Sequence, residues 1–295
     1  MSALSESISR RMTLGYLKGR YGLTLVPSFA EPVTITSLAD DLPSVRPGCL
    51  YVPSQTPVEE GMVDDAEWRG AYAALLPLSA RKTVKNARIP VLFGTMLPSQ
   101  MGQLLSNAAG DPSGSLAVFG LVGEDETSAV DMLGDFLHVL GNPVGILSCK
   151  GSYSLDRQLD LHYPLSMFDV QRCLSISLED GAAAVVIDVS DRTLQADAMQ
   201  SVDMDVVALG AEEGRTRNVR HSKLIGRARH FGFTLGGQTN VARRTEESDS
   251  MARQSLPAGA EENVDELSLC IAMTMAAGVK RNNIRSALRV SREIS

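Results

Sequence analysis

Paired cysteines are missing from this chain. Cys49, Cys149, Cys173 and Cys270 stand far apart, and none forms a CxxC spacing. That excludes a disulfide-framed scaffold and points to free thiols in a reducing compartment. Histidine is scarce too, with 4 residues and no paired spacing, so a zinc centre is not expected. No apolar run approaches the roughly 18 residues of a membrane helix. The opening stretch MSALSESISRRMTLGYLKGRYGL has no uninterrupted apolar core of signal-peptide type. A cytoplasmic protein without membrane insertion is therefore expected. Positive charge is in deficit: 28 Lys and Arg face 35 Asp and Glu, a net charge of -7. Such a balance argues against nucleic acid or an anionic membrane as a partner. What is present is a hydrophobic content of 44% against 21% charged, enough for packed cores, in a 295-residue chain of about two domains.

The N-terminal third mixes short apolar runs with turn signals. ITSLADDLPSVRPGCLYVP reads as a turn-rich stretch whose Arg46-Pro47-Gly48 turn delivers Cys49 to Val52 as a strand. DDAEWRGAYAALLPL, from Asp64, reads as a helix with acids suited to its N-terminal dipole. ARIPVLFG reads as a strand and SQMGQLLSNAAG as a helix. The small, polar GDPSGS segment, Gly110 to Ser115, marks the boundary, giving expected domains of 1–112 and 113–295.

Beyond it, strands and helices alternate. SLAVFGLVG is a run of the kind buried on both faces of a parallel sheet. Leu133, Phe136, Leu137 and Leu140 then form a helix stripe closed by Gly141. PVGILS, AAAVVIDVS and MDVVALG read as strands; FDVQRCLSISLEDG and HSKLIGRARHFG read as helices. The expected fold is α/β: a small α/β N-terminal domain, then a P-loop-like central domain with a mostly parallel sheet flanked by helices. Thr239 to Glu262 reads as loop or weak strand. NVDELSLCIAMTMAAGV is a helix, and a short one follows around NNIRSALRVS.

GLVGEDETSA, Gly120 to Ala129, joins a strand to a helix where a nucleotide-binding protein keeps its phosphate loop. Such a loop uses backbone N–H groups at a tight turn, a helix N-terminus, and one lysine for the outer phosphates. Gly120 and Gly123 suit the turn, and Ser128 suits a magnesium ligand. Glu124, Asp125 and Glu126 crowd the cradle, however, and Thr127 takes the lysine position. A carboxylate about 5 Å from a phosphate charge costs roughly 3 kcal/mol at an effective dielectric near 20. The bland alternative is a strand-to-helix turn whose acids cap the helix.

These stretches together resemble the ATP-dependent Mur ligase family, most closely the MurE type that adds the third amino acid to UDP-MurNAc-dipeptide. ITSLADDLPSVRPGCLYVP is similar to that family's ITSDSRxVxPGDLFVA signature, with Ile35, Thr36, Ser37, Val45, Pro47, Gly48 and Leu50 matching. The resemblance implies a uridine-nucleotide site with Thr36 and Ser37 as candidate binding residues. GLVGEDETSA sits at the family's GVTGTNGKTT. IDVSDRTL is similar to MEVSSHAL, so Asp188 stands at the magnesium-binding glutamate, while Asp191 and Arg192 replace Ser-His. Counting back from Phe231 puts Arg227 at the lysine the family carbamylates to hold a second magnesium, and Glu212 and Glu213 at an Asp-His pair. Glu266 falls on the asparagine that serves the adenine.

The resemblance implies ATP and Mg2+ in the family. The joint substitutions imply that here no cofactor is expected, that no residue is catalytic, and that Gly120, Gly123, Ser128 and Asp188 are vestigial. Ser295 falls where the family's third domain begins, so that C-terminal ligase domain is expected to be absent. The expected role is a non-catalytic binding or scaffold module with a protein partner in cell-wall synthesis or division. The alternatives are a ligase completed by a partner chain and a UDP-MurNAc precursor sensor or carrier. A hydrolase is not expected, because Ser190, with His221 or His230 as base, lacks a GxSxG elbow. Arg215, Arg217, Arg220, Lys223, Arg227 and Arg229 concentrate positive charge, as a solvated helix face or as a site for an anion or acidic partner.

Overall fold

The computed structural model describes residues 12–54, 57–59, 61–85, 87–124, 127–210, 217–256 and 263–294. The chain divides into two compact units, Met1–Gly110 and Asp111–Ser295.

In the first unit, α1 (Leu14–Tyr21) leads to β1 (Thr24–Val26), β2 (Ser37–Ala39), β3 (Cys49–Tyr51), α2 (Met62–Trp68), β4 (Ala73–Leu76), β5 (Val91–Phe93) and α3 (Pro98–Ala108). The sheet order is β1-β5-β4-β3-β2. Strands β2 to β5 are parallel, and β1 closes the edge antiparallel to β5. The expected helix from Asp64 to Leu78 is corrected: it stops at Trp68, and Ala73–Leu76 is a buried strand. Gly70 makes the break. Its φ of +104° suits glycine alone, and a Cβ there would meet Pro47 at 3.1 Å. The turn-rich stretch before Cys49 also contains strand β2.

The second unit begins with β6 (Ala117–Val122), α4 (Thr127–Val139) and β7 (Val144–Leu147). A hairpin follows, β8 (Ser152–Ser154) with β9 (Arg157–Leu159). Then come α5 (Met167–Glu179), β10 (Ala184–Val189), β11 (Val206–Leu209), α6 (Arg217–Phe231), β12 (Asn240–Ala242), α7 (Glu246–Ser255), α8 (Val264–Ala276) and α9 (Arg281–Ile294). The sheet order is β12-β11-β6-β10-β7-β8-β9, with the first five strands parallel and the hairpin antiparallel. This is the mixed α/β architecture expected, with helices on both faces of a mostly parallel sheet.

Period-two alternation divides the central strands between two cores. Val118, Val122, Val185 and Ile187 pack with α5 and α6 side chains such as Leu174 and Phe231. Phe119, Leu121, Ala184 and Val186 pack with α4 and α8 side chains such as Leu133 and Met273. Because β6 and β10 are covered on both faces, their sequences are almost wholly apolar. The reading of 239–262 as loop or weak strand agrees with the short strand Asn240–Ala242 and is corrected beyond it, where a helix stands. The stretch holds β12 and then α7, whose start is a capping box of Thr245 and Ser248 with acids in the first turn. Residues 257–262 lie outside the described residues.

Candidate functional site

Strand β6 is the middle one of the five parallel strands of the second sheet, where the strand order reverses. In open parallel sheets, ligands sit at the carboxyl edge of such a reversal. The turn from β6 to α4 occupies that edge. Gly120 does not shape the turn, a correction to its expected place. It lies inside β6, paired with Ile187 and Val207, and a Cβ there would meet the Met204 methyl at 2.1 Å. The glycine makes room for a core methionine. Gly123 is buried just past the strand, and Glu124 is 85% exposed by side chain. Asp125 and Glu126 lie outside the described residues. Thr127 opens α4 and is 2% exposed, its hydroxyl without a hydrogen-bond partner among the described residues. Ser128, the candidate magnesium ligand, donates its hydroxyl to Glu266 Oε2 on α8 at 3.0 Å. Thus the two residues that the sequence resemblance sets at a magnesium-binding serine and an adenine-binding asparagine bind each other.

Asp188 is 1% exposed near the end of β10, in register with Leu121 of β6. Its Oδ2 accepts hydrogen bonds from Ser190 Oγ at 3.0 Å and from Thr193 Oγ1. Thr193 Oγ1 in turn accepts the Cys149 N–H at 3.0 Å. This carboxylate ties the chain after β10 to the chain after β7. Ser190 spends its hydroxyl on Asp188 and contacts neither His221 nor His230, so no nucleophile–base pair forms.

Arg227 is the hub of the edge. Its side chain is 22% exposed and lies 5.8 Å over the Phe231 ring. One guanidinium nitrogen pairs with Asp191 Oδ2, and the other approaches Glu124 Oε1 at 3.7 Å. His230 Nε2 meets the other Asp191 oxygen at 2.9 Å. A fixed cation from α6 therefore joins the loop after β6 to the loop after β10. The hydrogen bond from Arg227 holds the Asp191 carboxyl below the usual carboxylate range, against the opposing effect of its partial burial. Glu212, Glu213 and Arg215 lie outside the described residues, as do the side chains of Arg217 and Arg220.

A pH-dependent consequence follows. A depressed folded-state pKa contributes stability above the ordinary carboxylate value, about 4, that is lost as pH falls through the folded value. Arg227→Met keeps the stem over Phe231 and removes the charge. At neutral pH it is expected to cost about 1 kcal/mol or less, since the partners are exposed. In urea titrations the gap to the parent should close as the pH drops below about 4. A gap that stays constant into that range contradicts the ion-pair assignment.

In the first unit, Thr36 Oγ1 donates to the Gly48 carbonyl at 3.3 Å, and Ser37 opens β2 opposite Cys49. The structure thus brings Ser128 to Glu266, and Arg227 to Glu124 and Asp191. Asp188 sits apart in its own hydroxyl network. The partnerships of Arg227 and Glu266 were missed by sequence reasoning, though a guanidinium at the carbamate position beside a loop of acids was the available signal. Among the described residues no three His, Cys, Asp or Glu side chains gather as a metal-binding set. A recess at the carboxyl ends of β11 and β12, lined by Leu209, His221, Val241 and Leu269, has a volume of about 20 Å³. That is room for roughly one water. No described helix is long and apolar enough to cross a membrane. All four cysteines are free thiols, and burial pushes Cys173 up to about 12.

No family model matches the chain. The UDP-N-acetylmuramoyl-L-alanyl-D-glutamate--2,6-diaminopimelate ligase of Pseudomonas syringae is 28% identical over 179 residues, 59% of this chain and 37% of the relative. The ligase of the same name from Xylella fastidiosa is 27% identical over 209 residues, 69% of this chain and 41% of the relative. The match therefore spans about two fifths of the curated relatives' length. Among solved structures, a ligase of that name superposes with a TM-score of 0.57 at 11% identity, covering 91% of this chain and 64% of the other. MurF from Acinetobacter baumannii superposes with a TM-score of 0.56 at 16% identity, covering 92% and 66%. At such identity the structures speak for the fold, and the curated relatives supply the likeness in sequence. By the two together, the chain has the Mur ligase fold and resembles MurE-type Mur ligases in sequence.

Proposed function

We propose that this protein is a MurE-like pseudoenzyme, a cytoplasmic binding or scaffold module linked to peptidoglycan precursor synthesis or cell division. The observation that carries the reading is the position of Arg227. Where the family presents a carbamylated lysine to a magnesium ion, a guanidinium spans Asp191 and Glu124. A metal at that position would face a permanent cation instead of an anion.

The residues present do not fit Mg-ATP. The Ser128 hydroxyl is taken by Glu266, and Asp188 is buried with its Oδ2 held by the Ser190 and Thr193 hydroxyls. The loop sequence has three carboxylates and no lysine. A micromolar nucleotide has about 8 kcal/mol of binding energy. Losing the lysine removes an attraction of roughly 3 kcal/mol at an effective dielectric near 20, and the added acids oppose the phosphates further. Arg227 offsets one loop acid only by engaging it. No catalytic step is derived through the nucleotide.

The protein mixed with Mg-ATP, UDP-MurNAc-dipeptide and 2,6-diaminopimelate is expected to release no ADP and form no tripeptide. Product formation abolished by chelating magnesium would reverse the reading in favour of a ligase. The retained signature around Thr36 and Gly48 supports a second reading, residual affinity for the UDP-MurNAc precursor. Calorimetry with UDP-MurNAc-dipeptide separates that carrier from a purely protein-binding scaffold.

A further inference from the structure

The outer layer of the second unit carries a groove between α7 and α9, with a volume of about 230 Å³. Helix α9 packs Ile284, Ala287 and Leu288 inward, at i, i+3 and i+4, against Met251 and Ile271. On the adjoining face arginine recurs every four residues: Arg281, Arg285 and Arg289. Arg281 is held by Glu247 at 3.0 Å. Arg285 and Arg289 are exposed, flank the groove, and have no carboxylate partner among the described residues. The other polar groups of the rim are satisfied locally. Ser255 Oγ donates to the Met251 carbonyl at 2.7 Å, and Gln254 Nε2 donates to Ser250 Oγ at 3.2 Å. Met251 and Leu288 form the floor.

Like charges four residues apart on a helix repel, so this pair, without a carboxylate partner among the described residues, is a concentration of positive charge in a chain with net charge -7. We infer that the groove binds an acidic amphipathic segment of a partner protein. The segment presents two carboxylates one helical turn apart and an aliphatic side chain between them. The guanidiniums take the carboxylates, and the Met251–Leu288 floor takes the aliphatic group. The apolar floor disfavours a sugar-phosphate chain, and the overall negative charge repels an extended polyanion or anionic bilayer at long range. The inference rests on the reading of the chain as a binding module and names the chemistry of its partner.

The test uses the full chain and a fluorescein-labelled helical peptide with glutamates at i and i+4 and leucine on the same face. Anisotropy is expected to show saturable binding. Glutamine in place of both glutamates should weaken it about tenfold or more, as should Arg285→Glu with Arg289→Glu. Circular dichroism checks the fold of that variant. If it fails to fold, Arg285→Gln with Arg289→Gln is expected to lower affinity in the same direction. Equal binding of the glutamine peptide, or binding indifferent to both arginine variants, overturns the inference. So does a stronger arginine-dependent interaction with phosphatidylcholine–phosphatidylserine vesicles or inorganic triphosphate. Titrating Mg-ATP into the same preparation tests the pseudoenzyme reading separately, since a peptide result of either sign leaves the nucleotide result unchanged.

Discussion

Replacing Asp188 with alanine is expected to lower the unfolding free energy by about 2–4 kcal/mol, with or without magnesium. The side chain is buried at the end of β10 and accepts hydrogen bonds from Ser190 and Thr193. Both of those residues are themselves buried. Truncation leaves two hydroxyls facing a vacated carboxylate, and each unsatisfied buried donor costs about 1–3 kcal/mol. The loss spreads to the loop after β7, because Thr193 Oγ1 also accepts the Cys149 N–H. Asp188→Asn, which retains an acceptor oxygen and the side-chain volume, is expected to lose less than alanine. Urea unfolding measures both. A residue kept for a metal would behave differently: its loss would matter chiefly when magnesium is present. A change below about 1 kcal/mol, or one appearing only with magnesium, contradicts the structural role.

Restoring the phosphate loop by Glu126→Gly with Thr127→Lys is expected to yield no ATP turnover. The change returns the glycine and the lysine of the family motif, yet three obstacles stay in place. Arg227 still spans Glu124 and Asp191, Ser128 still donates to Glu266, and Glu266 still stands where the resemblance sets the adenine-binding asparagine. In phosphoryl transfer the protein contributes mainly positioning and charge neutralisation, so, on the pseudoenzyme reading proposed above, a single restored cation does not suffice. Phosphate release from the variant should equal that from the parent. Magnesium-dependent hydrolysis above the parent's level would mean that the loop alone had been silenced.

The elements legible in the sequence were those with a strong period and strong punctuation. The Leu133–Leu140 stripe followed by Gly141, whose φ is +88°, gave α4. The apolar runs of β6 and β10 were read correctly because both strands are covered on two faces. Where the period was weak, the reading failed. AYAALL suits a helix as well as a strand, and only the backbone bend at Gly70 decides between them. Helix α7 buries little beyond Ser248, Met251 and Ala252, so its polar sequence read as a loop; its signal was the cap at Thr245.

The candidate site shows the same division. Individual substitutions were visible residue by residue, including the missing lysine and the arginine at position 227. Their mutual pairing was not. Arg227 and Asp191 are 36 residues apart, and Ser128 and Glu266 are 138 apart, and no local pattern encodes such partners. Gly120 was misread for a related reason. A glycine near a phosphate loop invites a ligand explanation, whereas the methyl group that needs its space belongs to Met204, far along the chain.

Calorimetric titration of Mg-ATP into the purified chain tests the central claim most directly. The pairing of Arg227 with Glu124 and Asp191, and of Ser128 with Glu266, predicts no saturable heat up to millimolar nucleotide, where the available free energy is about 4 kcal/mol. A saturable isotherm with a Kd in the low micromolar range, weakened by Ser128→Ala and lost on chelation of magnesium, would show that the site still holds its nucleotide.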